Sequence, residues 1–410
     1  MKLTDLDVIV TAPPAPGWGG RYWILVKLTT DTGITGWGEC YGASVGPDAM
    51  CAVIRDVFAR YMAGESPENV ERMFRRVYSS GFTQRPDLTV MGAFSGLEIA
   101  CWDILGKDRD RPVWALMGGR MNDRVRAYTY LYPLPQHDID DFWVSAEMAA
   151  EAAADCVARG WTAVKFDPAG PYTMRGGHMP AMRDIARSVE FCAAIRGAVG
   201  DRADLLFGTH GQFTTAGAIR LGQALEPYSP LWFEEPIPPD NLLEFQRVAQ
   251  AVRIPVAAGE RLTTKAEFAT LLRTGGAEIL QPALGRAGGL WEARKIAAMA
   301  EAFNAQMAPH LYAGPVEWAA NIQLAVSIPN LLMAETIETP FHDALIKGTI
   351  RAEGGYIEAP TAPGLGIEVD EALARAHPYT GDGLHLQMQD DPCDYWRENR
   401  FEGGAPAPRD

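Results

Sequence analysis

What most restricts the fold of this 410-residue chain is a regular alternation that begins near residue 119. Short apolar, strand-like runs (VRAYTYLY, WTAVKFD, DLLFGTH, PLWFEEP, PVAAGER, EILQPA, NAQMAPH and LLMAET) are separated by longer stretches of helical periodicity, such as AGAIRLGQALEPY and LWEARKIAAMAEAFN. The run ends recur at a steady interval: Gly208 to Glu234 and Glu234 to Glu260 are each 26 residues, and His310 to Glu335 is 25. That interval accommodates one crossover helix between parallel strands, a connection that is right-handed. Eight such strands close an α/β barrel of the TIM type, here over residues 119–345.

Residues 1–118 have a different texture. The run YWILVKL is followed by TTDTGITGWGE, in which Asp31, Thr32 and Gly33 form a turn between two apolar segments, a hairpin signal. From about residue 46 to 117 the pattern becomes helical and ends in SGLEIACWDILGKDRDRPVWALMGG, stopped by Gly118 and Gly119. The segment reads as an α+β unit of ordinary domain size. Residues 346–390, rich in Gly and Pro, are expected to fold back on it, and 391–410, ending in GGAPAPRD, read as a polar tail.

Composition works by exclusion. With 47% hydrophobic and 22% charged residues, the chain is neither disordered nor collagen-like. Thirty-seven Lys and Arg against 52 Asp and Glu give a formal charge of −15. That balance repels phosphate backbones and anionic lipid, and no basic patch offsets it, so no nucleic-acid or membrane partner is expected. Asp5 and Asp7 interrupt the opening segment, and no stretch reads as approaching the roughly 18 apolar residues of a membrane span. A cytoplasmic location is expected. The six cysteines (Cys40, Cys51, Cys101, Cys156, Cys192 and Cys393) lack CxxC spacing and fit buried thiols better than a disulfide framework or a zinc site.

In a βα barrel the chemistry sits at the C-terminal ends of the strands. In order these carry Lys165 and Asp167, Gly208 and His210, Glu234 and Glu235, Glu260 and Arg261, Gln281 and Ala283, His310, and Glu335. The period of two sends Lys165 and Asp167 to one side together, and likewise Gly208 and His210. So many ionisable groups are costly to bury unless they compensate one another or hold a cation. Glu234 and Glu260, matched on adjacent strands, are the natural pair for a hard divalent ion, although each also has nearby cations such as Arg261 to pair with. His310, in APHLYAGP after the seventh strand, is placed for proton transfer.

The motifs TGWGE, CWDILGKDRDRPVWALMGG, KFDPAGPY, THGQF, FEEP, AGER, QPALGRAGG, APHLYAGP and PGLGIEVD, taken in this order, resemble the mandelate racemase-like group of the enolase superfamily, and within it the gluconate and galactonate type of acid-sugar dehydratase. The resemblance covers residue 1 to about 390. It implies a modified (β/α)7β barrel capped by the N-terminal unit and the C-terminal segment. It also implies Mg²⁺ held by three carboxylates, which would stabilise the enediolate formed when a base removes the proton α to the substrate carboxylate. By position, Glu234 and Glu260 match the second and third metal ligands, His310 the strand-7 acid/base, Lys165 and Asp167 the strand-2 pair, and Glu335 the acid beside the substrate. His210 matches the general acid that acts on the departing hydroxyl.

Two positions depart from that pattern. Gly208 stands where the first carboxylate belongs, and Ala283 where an aspartate would orient His310. A third change, Gln212, removes a cation. The metal site is therefore weakened: His210, Asp167 or water fills the gap, for Mg²⁺ or a softer ion such as Mn²⁺, or the metal is weak or absent. The expected activity is sugar-acid dehydration to a 2-keto-3-deoxy acid, with His310 or the Lys165/Asp167 pair as base and His210 as acid. Racemisation, epimerisation or cycloisomerisation through the same enolate is the alternative, as is a relative that has lost the ancestral reaction. The substrate is expected to be a small sugar acid and the protein a homo-oligomer. Trp18, Arg21 and Tyr41, in the loops at residues 12–23 and 40–49, are candidates to cover the mouth and contact substrate.

Overall fold

The computed structural model describes residues 1–42, 44–170, 173–174, 176–348 and 350–388, so the tail at 391–410 and Cys393 lie outside the described residues. The chain opens with an antiparallel meander of β1 (Leu3–Thr11), β2 (Trp23–Thr30) and β3 (Thr35–Cys40). The hairpin at Asp31–Gly33 forms between β2 and β3, with Gly33 in the left-handed region at φ 83°. The sequence signal for β1 is weak because Asp5 and Asp7 interrupt its apolar positions. Register with β2 from Asp5 to Thr11 supplies the ladder that propensity alone does not.

Three helices follow: α1 (Pro47–Val57), α2 (Val70–Ser79) and α3 (Leu88–Asp108). The 21-residue α3 corrects the expectation that no stretch approaches a membrane span, since by length and apolar composition it qualifies. Of its most apolar window, 83% is buried inside the protein. A helix apolar all round is accommodated when neighbours cover every face. Here β3 lies against it so closely that glycine is required. A Cβ on Gly38 would collide with the carbonyl oxygen of Gly96, and one on Gly36 with that of Ala100. The TGWGE and SGLEIACWD motifs are thus two halves of one contact.

The alternating region forms the predicted parallel strands: β4 (Arg124–Tyr130), β5 (Ala163–Phe166), β6 (Asp204–Gly208), β7 (Trp232–Glu234), β8 (Val256–Ala258), β9 (Ile279–Leu280), β10 (Gln306–Met307) and β11 (Ala334–Thr336). Each of β4 to β9 pairs in parallel with the next, and β11 pairs with β4. Met307 bridges Leu331 just ahead of β11, so the row of strands returns to its start. A separate buried cluster of Tyr128, Ala163, Leu206, Trp232, Ala257, Ile279, Ala308 and Met333 takes one residue from each strand or its immediate flank. This is the filled interior of a barrel. Cys40, Cys51, Cys101, Cys156 and Cys192 are buried free thiols.

Beyond the barrel, β12 (Ile346–Gly348) pairs with β15 (Ile367–Val369), and β14 (Tyr356–Glu358) adds antiparallel to β4 beside β13 (Ala352–Glu353). The chain then returns to the N-terminal meander. Glu371 meets Lys27 at 2.7 Å, Arg375 pairs with Asp7, and Pro378 bridges Thr11.

Buried carboxyl groups fasten this cap to the barrel at helix N-termini, where they accept from free backbone N–H groups; burial outweighs the pull of those groups and raises both Glu39 and Glu98 above the usual carboxylate range. Glu39 accepts from the N–H groups of Gly314 (2.6 Å) and Glu317 (3.0 Å) at the start of the Pro315–Ser327 helix. Glu98 accepts from Leu290 (2.7 Å) and Trp291 (3.0 Å) at the start of the Gly289–Ala302 helix. Asp103 ties Trp37 to Leu365 through their N–H groups, each at 2.9 Å.

Two outcomes follow from these contacts. Gly38→Ala is expected to destabilise the fold by about 3 kcal/mol, the upper end of overpacking costs, because the obstacle is backbone; a melting temperature equal to wild type would contradict the close approach. Burial, together with the nearby Glu317 charge, raises the Glu39 carboxyl from 4.5 to about 8. Between those values the folded state holds a proton the unfolded chain has released. The Glu39 contribution is therefore fully present below about pH 4.5 and is lost as pH rises towards 8. Urea melts of wild type and Glu39→Gln should show a stability gap that shifts against wild type as pH increases over that window, and a pH-independent gap would refute the assignment.

Candidate active site

The barrel ends converge on a cavity of about 440 Å³. Its lining includes Lys165, His210, Glu260, Arg261, Arg286, His310 and Glu335 from the barrel, and Tyr41 from the cap. Segment 386–388, Leu386 to Met388, closes another side.

Lys165 is only 2% exposed, on β5. Its ammonium lies 2.6 Å from Glu234 Oε1 and 3.2 Å from Glu335 Oε1. Burial works against the charge, but Glu234, Glu335 and Glu260 outweigh it and drive the lysine well above its usual range. Held this way, Lys165 is a fixed cation rather than a base. The other Glu234 oxygen accepts from the Gln281 amide at 2.8 Å, and the other Glu335 oxygen from the Leu311 N–H at 2.7 Å. Burial pushes the Glu335 carboxyl up to about 7 against the pull of Lys165.

Asp167, one pleat beyond Lys165, faces His210 at 2.9 Å from Nδ1 and accepts the Tyr130 hydroxyl. Burial lowers the His210 pKa, but the hydrogen bond and charge of Asp167 outweigh it, so the net shift is upward. His210 sits at φ 50°, a left-handed conformation uncommon outside glycine and held here from both sides. The Gly211 N–H donates to Glu235 O at 2.6 Å, and the Arg261 guanidinium donates to the His210 carbonyl. Gln212, the position lacking a cation, bridges the Thr173 N–H (3.0 Å) and the His210 carbonyl (3.2 Å).

Across the cavity, His310 Nε2 lies 3.2 Å from Glu260 Oε2, and Arg261 approaches the other Glu260 oxygen at 3.7 Å. Burial opposes ionisation of Glu260, but the surrounding cationic groups prevail and hold it well below the usual carboxylate range. Burial drives His310 in the opposite direction, well below a normal histidine. The Nε2 contact is a close approach without a hydrogen bond, since Glu260 Oε2 has no hydrogen-bond partner among the described residues. Nδ1 has no hydrogen-bond partner among the described residues, which is what Ala283 in place of an aspartate leads one to expect.

Lys165, Asp167, His210, Glu234, Glu260, His310 and Glu335 thus come together at one mouth. Of the loop candidates, Tyr41 lines the cavity with Arg286 3.9 Å above its ring. Trp18 packs against Tyr132 and Trp143, with ring centroids at 4.5 and 5.8 Å. Arg21 holds the C-terminal strap, donating to the Leu384 carbonyl and the Gln387 side chain, each at 3.2 Å. Neither Trp18 nor Arg21 is among the described lining residues. Sequence reasoning passes over Arg286, Tyr312 and the strap. Arg286 has a visible signal, the QPALGRAGG turn directly after a strand, whereas nothing local marks the strap as a wall.

The donor set does not fit a resident Mg²⁺ ion. Gly208 offers no ligand, both Glu234 oxygens are engaged, and Glu260 faces His310 and Arg261. Among the described residues no group of three or more His, Cys, Asp or Glu side chains is arranged to hold a metal.

The comparisons with known proteins agree with this architecture. Residues 19–118 match the mandelate racemase/muconate lactonizing enzyme N-terminal domain, and residues 147–373 match the enolase C-terminal domain-like family. A D-gluconate/D-galactonate dehydratase of Picrophilus torridus is 34% identical over 90% of this chain and 92% of its own. A D-xylonate dehydratase of Haloferax volcanii is 34% identical over 89% and 88%. Among solved structures, a mandelate racemase/muconate lactonizing enzyme-like protein from Roseovarius sp. TM1035 is 80% identical with TM-score 0.95, covering 96% of this chain and 100% of that one. A putative dehydratase from Salmonella enterica serovar Typhimurium is 28% identical with TM-score 0.83, covering 92% and 98%. On these grounds, and on its barrel and cap, the chain belongs to the enolase superfamily, with the two-domain organisation of the mandelate racemase and muconate lactonizing enzymes.

Proposed function

We propose that the protein is a dehydratase of a small sugar acid, converting an aldonate or aldarate to its 2-keto-3-deoxy acid. The observation that carries this reading is the pair of carboxylate-backed imidazoles opening on one cavity: His310 with Glu260 on one side, His210 with Asp167 on the other. Dehydration needs two proton transfers at neighbouring carbons, which two such groups are suited to perform. The C2–H bond breaks as its proton passes to His310. The C3–O bond breaks as His210 donates its proton, water leaves, and the resulting enol tautomerises to the ketone. Lys165, Arg261 and Arg286 line the same cavity and supply the positive charge that a substrate carboxylate and a developing enediolate require. The names of the relatives from Picrophilus torridus and Haloferax volcanii support the substrate class.

The test is a semicarbazide assay over a library of aldonic and aldaric acids, followed by proton NMR in D₂O. With an active substrate, His210→Asn is expected to lose product formation by roughly 10²–10⁴-fold while still exchanging the α-proton, and His310→Asn to lose both. No keto product from any acid would overturn the dehydratase reading. Exchange and product lost together in His210→Asn would overturn the division of roles.

A further inference from the structure

We propose that the Lys165 ammonium takes the place of the divalent cation in this protein, so that the charge-stabilising group at the mouth is a side chain of the chain itself. Three observations lead there. Lys165 Nζ is seated against Glu234, the carboxylate matched to the second metal ligand, and reaches Glu335 as well. Each Glu234 oxygen already has a polar partner, Lys165 on one and the Gln281 amide on the other. And the glycine at the first ligand position is not forced by space. A Cβ on Gly208 would stand 3.5 Å from Asp167 Cβ and 3.7 Å from Lys165 Cε, ordinary contacts in both cases.

Charge accounts for the glycine where sterics do not. With glycine at 208, the carboxylates at this end of the barrel are Glu234, Glu260 and Glu335, and the Lys165 ammonium is shared by two of them. A carboxylate at position 208 would add a fourth anion around an ammonium already shared by two, and under-compensated buried charge is costly. The loss of the acid at 208 and the docking of Lys165 on Glu234 therefore belong together as one exchange. An ammonium has three N–H donors. Among the described residues Glu234 and Glu335 account for two, and the third can serve a ligand in the cavity that Lys165 lines. The ligand so recognised is a carboxylate, which deepens the dehydratase reading without depending on it, since the test below reads metal binding directly.

Wild-type protein, stripped with EDTA, is titrated with Mn²⁺ and followed by the electron paramagnetic resonance signal of the free ion. The expected result is no binding up to about 1 mM, the range of the weakest protein sites for divalent ions. The double variant Gly208→Asp with Lys165→Met restores the acid and removes the ammonium. It is expected to take up one Mn²⁺ per chain at least roughly 10–100-fold more tightly than wild type. One Mn²⁺ bound by wild type and lost in Glu234→Gln would overturn the proposal, whatever the reaction turns out to be. A folded double variant that binds no better than wild type would overturn it too. If the double variant does not fold, the wild-type and Glu234→Gln titrations decide alone.

Discussion

The mouth of this barrel is organised around one buried ammonium. Lys165 is out of contact with bulk water, and an isolated charge there would be prohibitively expensive. Its two carboxylate partners make the position tenable, and their remaining oxygens are in turn fixed by Gln281 and the Leu311 N–H. Strands β5, β7 and β11 and the segments after β9 and β10 are thus coupled through a single electrostatic knot. The two histidine pairs flank it, and their opposite shifts arise because Asp167 sits on one imidazole while burial dominates the other.

The knot is useful only if something covers it, and the cover is held by the same kind of interaction turned outward. Glu39, Glu98 and Asp103 reach from the meander and α3 into backbone N–H groups of the barrel and the C-terminal segment. Gly36 and Gly38 let β3 lie on α3, which brings Tyr41, one residue past β3, over the cavity. Position in the site is therefore determined by contacts well away from it.

Much of this was legible in the sequence, for identifiable reasons. All eight barrel strands announce themselves, because burial on both faces demands continuous apolar runs and crossover helices impose a steady interval. The ionisable residues at their ends are readable for the same reason: once a strand is placed, its last residues are placed. The pairings were not legible. That Glu234 turns to Lys165 depends on distances across the barrel. The strap around Leu386 was equally invisible, since its place is set by Arg21, more than 360 residues away along the chain. Helix α3 shows the converse, its composition alone being that of a membrane span while its neighbours make it the core of the cap.

The strap makes the outline of the site answer to contacts between segments far apart in the chain. Arg21 donates to the Leu384 carbonyl, and the Gly19 carbonyl meets His385 Nε2 at 3.1 Å, so the wall from Leu386 to Met388 is anchored by the loop ahead of β2. A substitution in that loop can therefore reshape the cavity while leaving every charged residue at the strand ends in place.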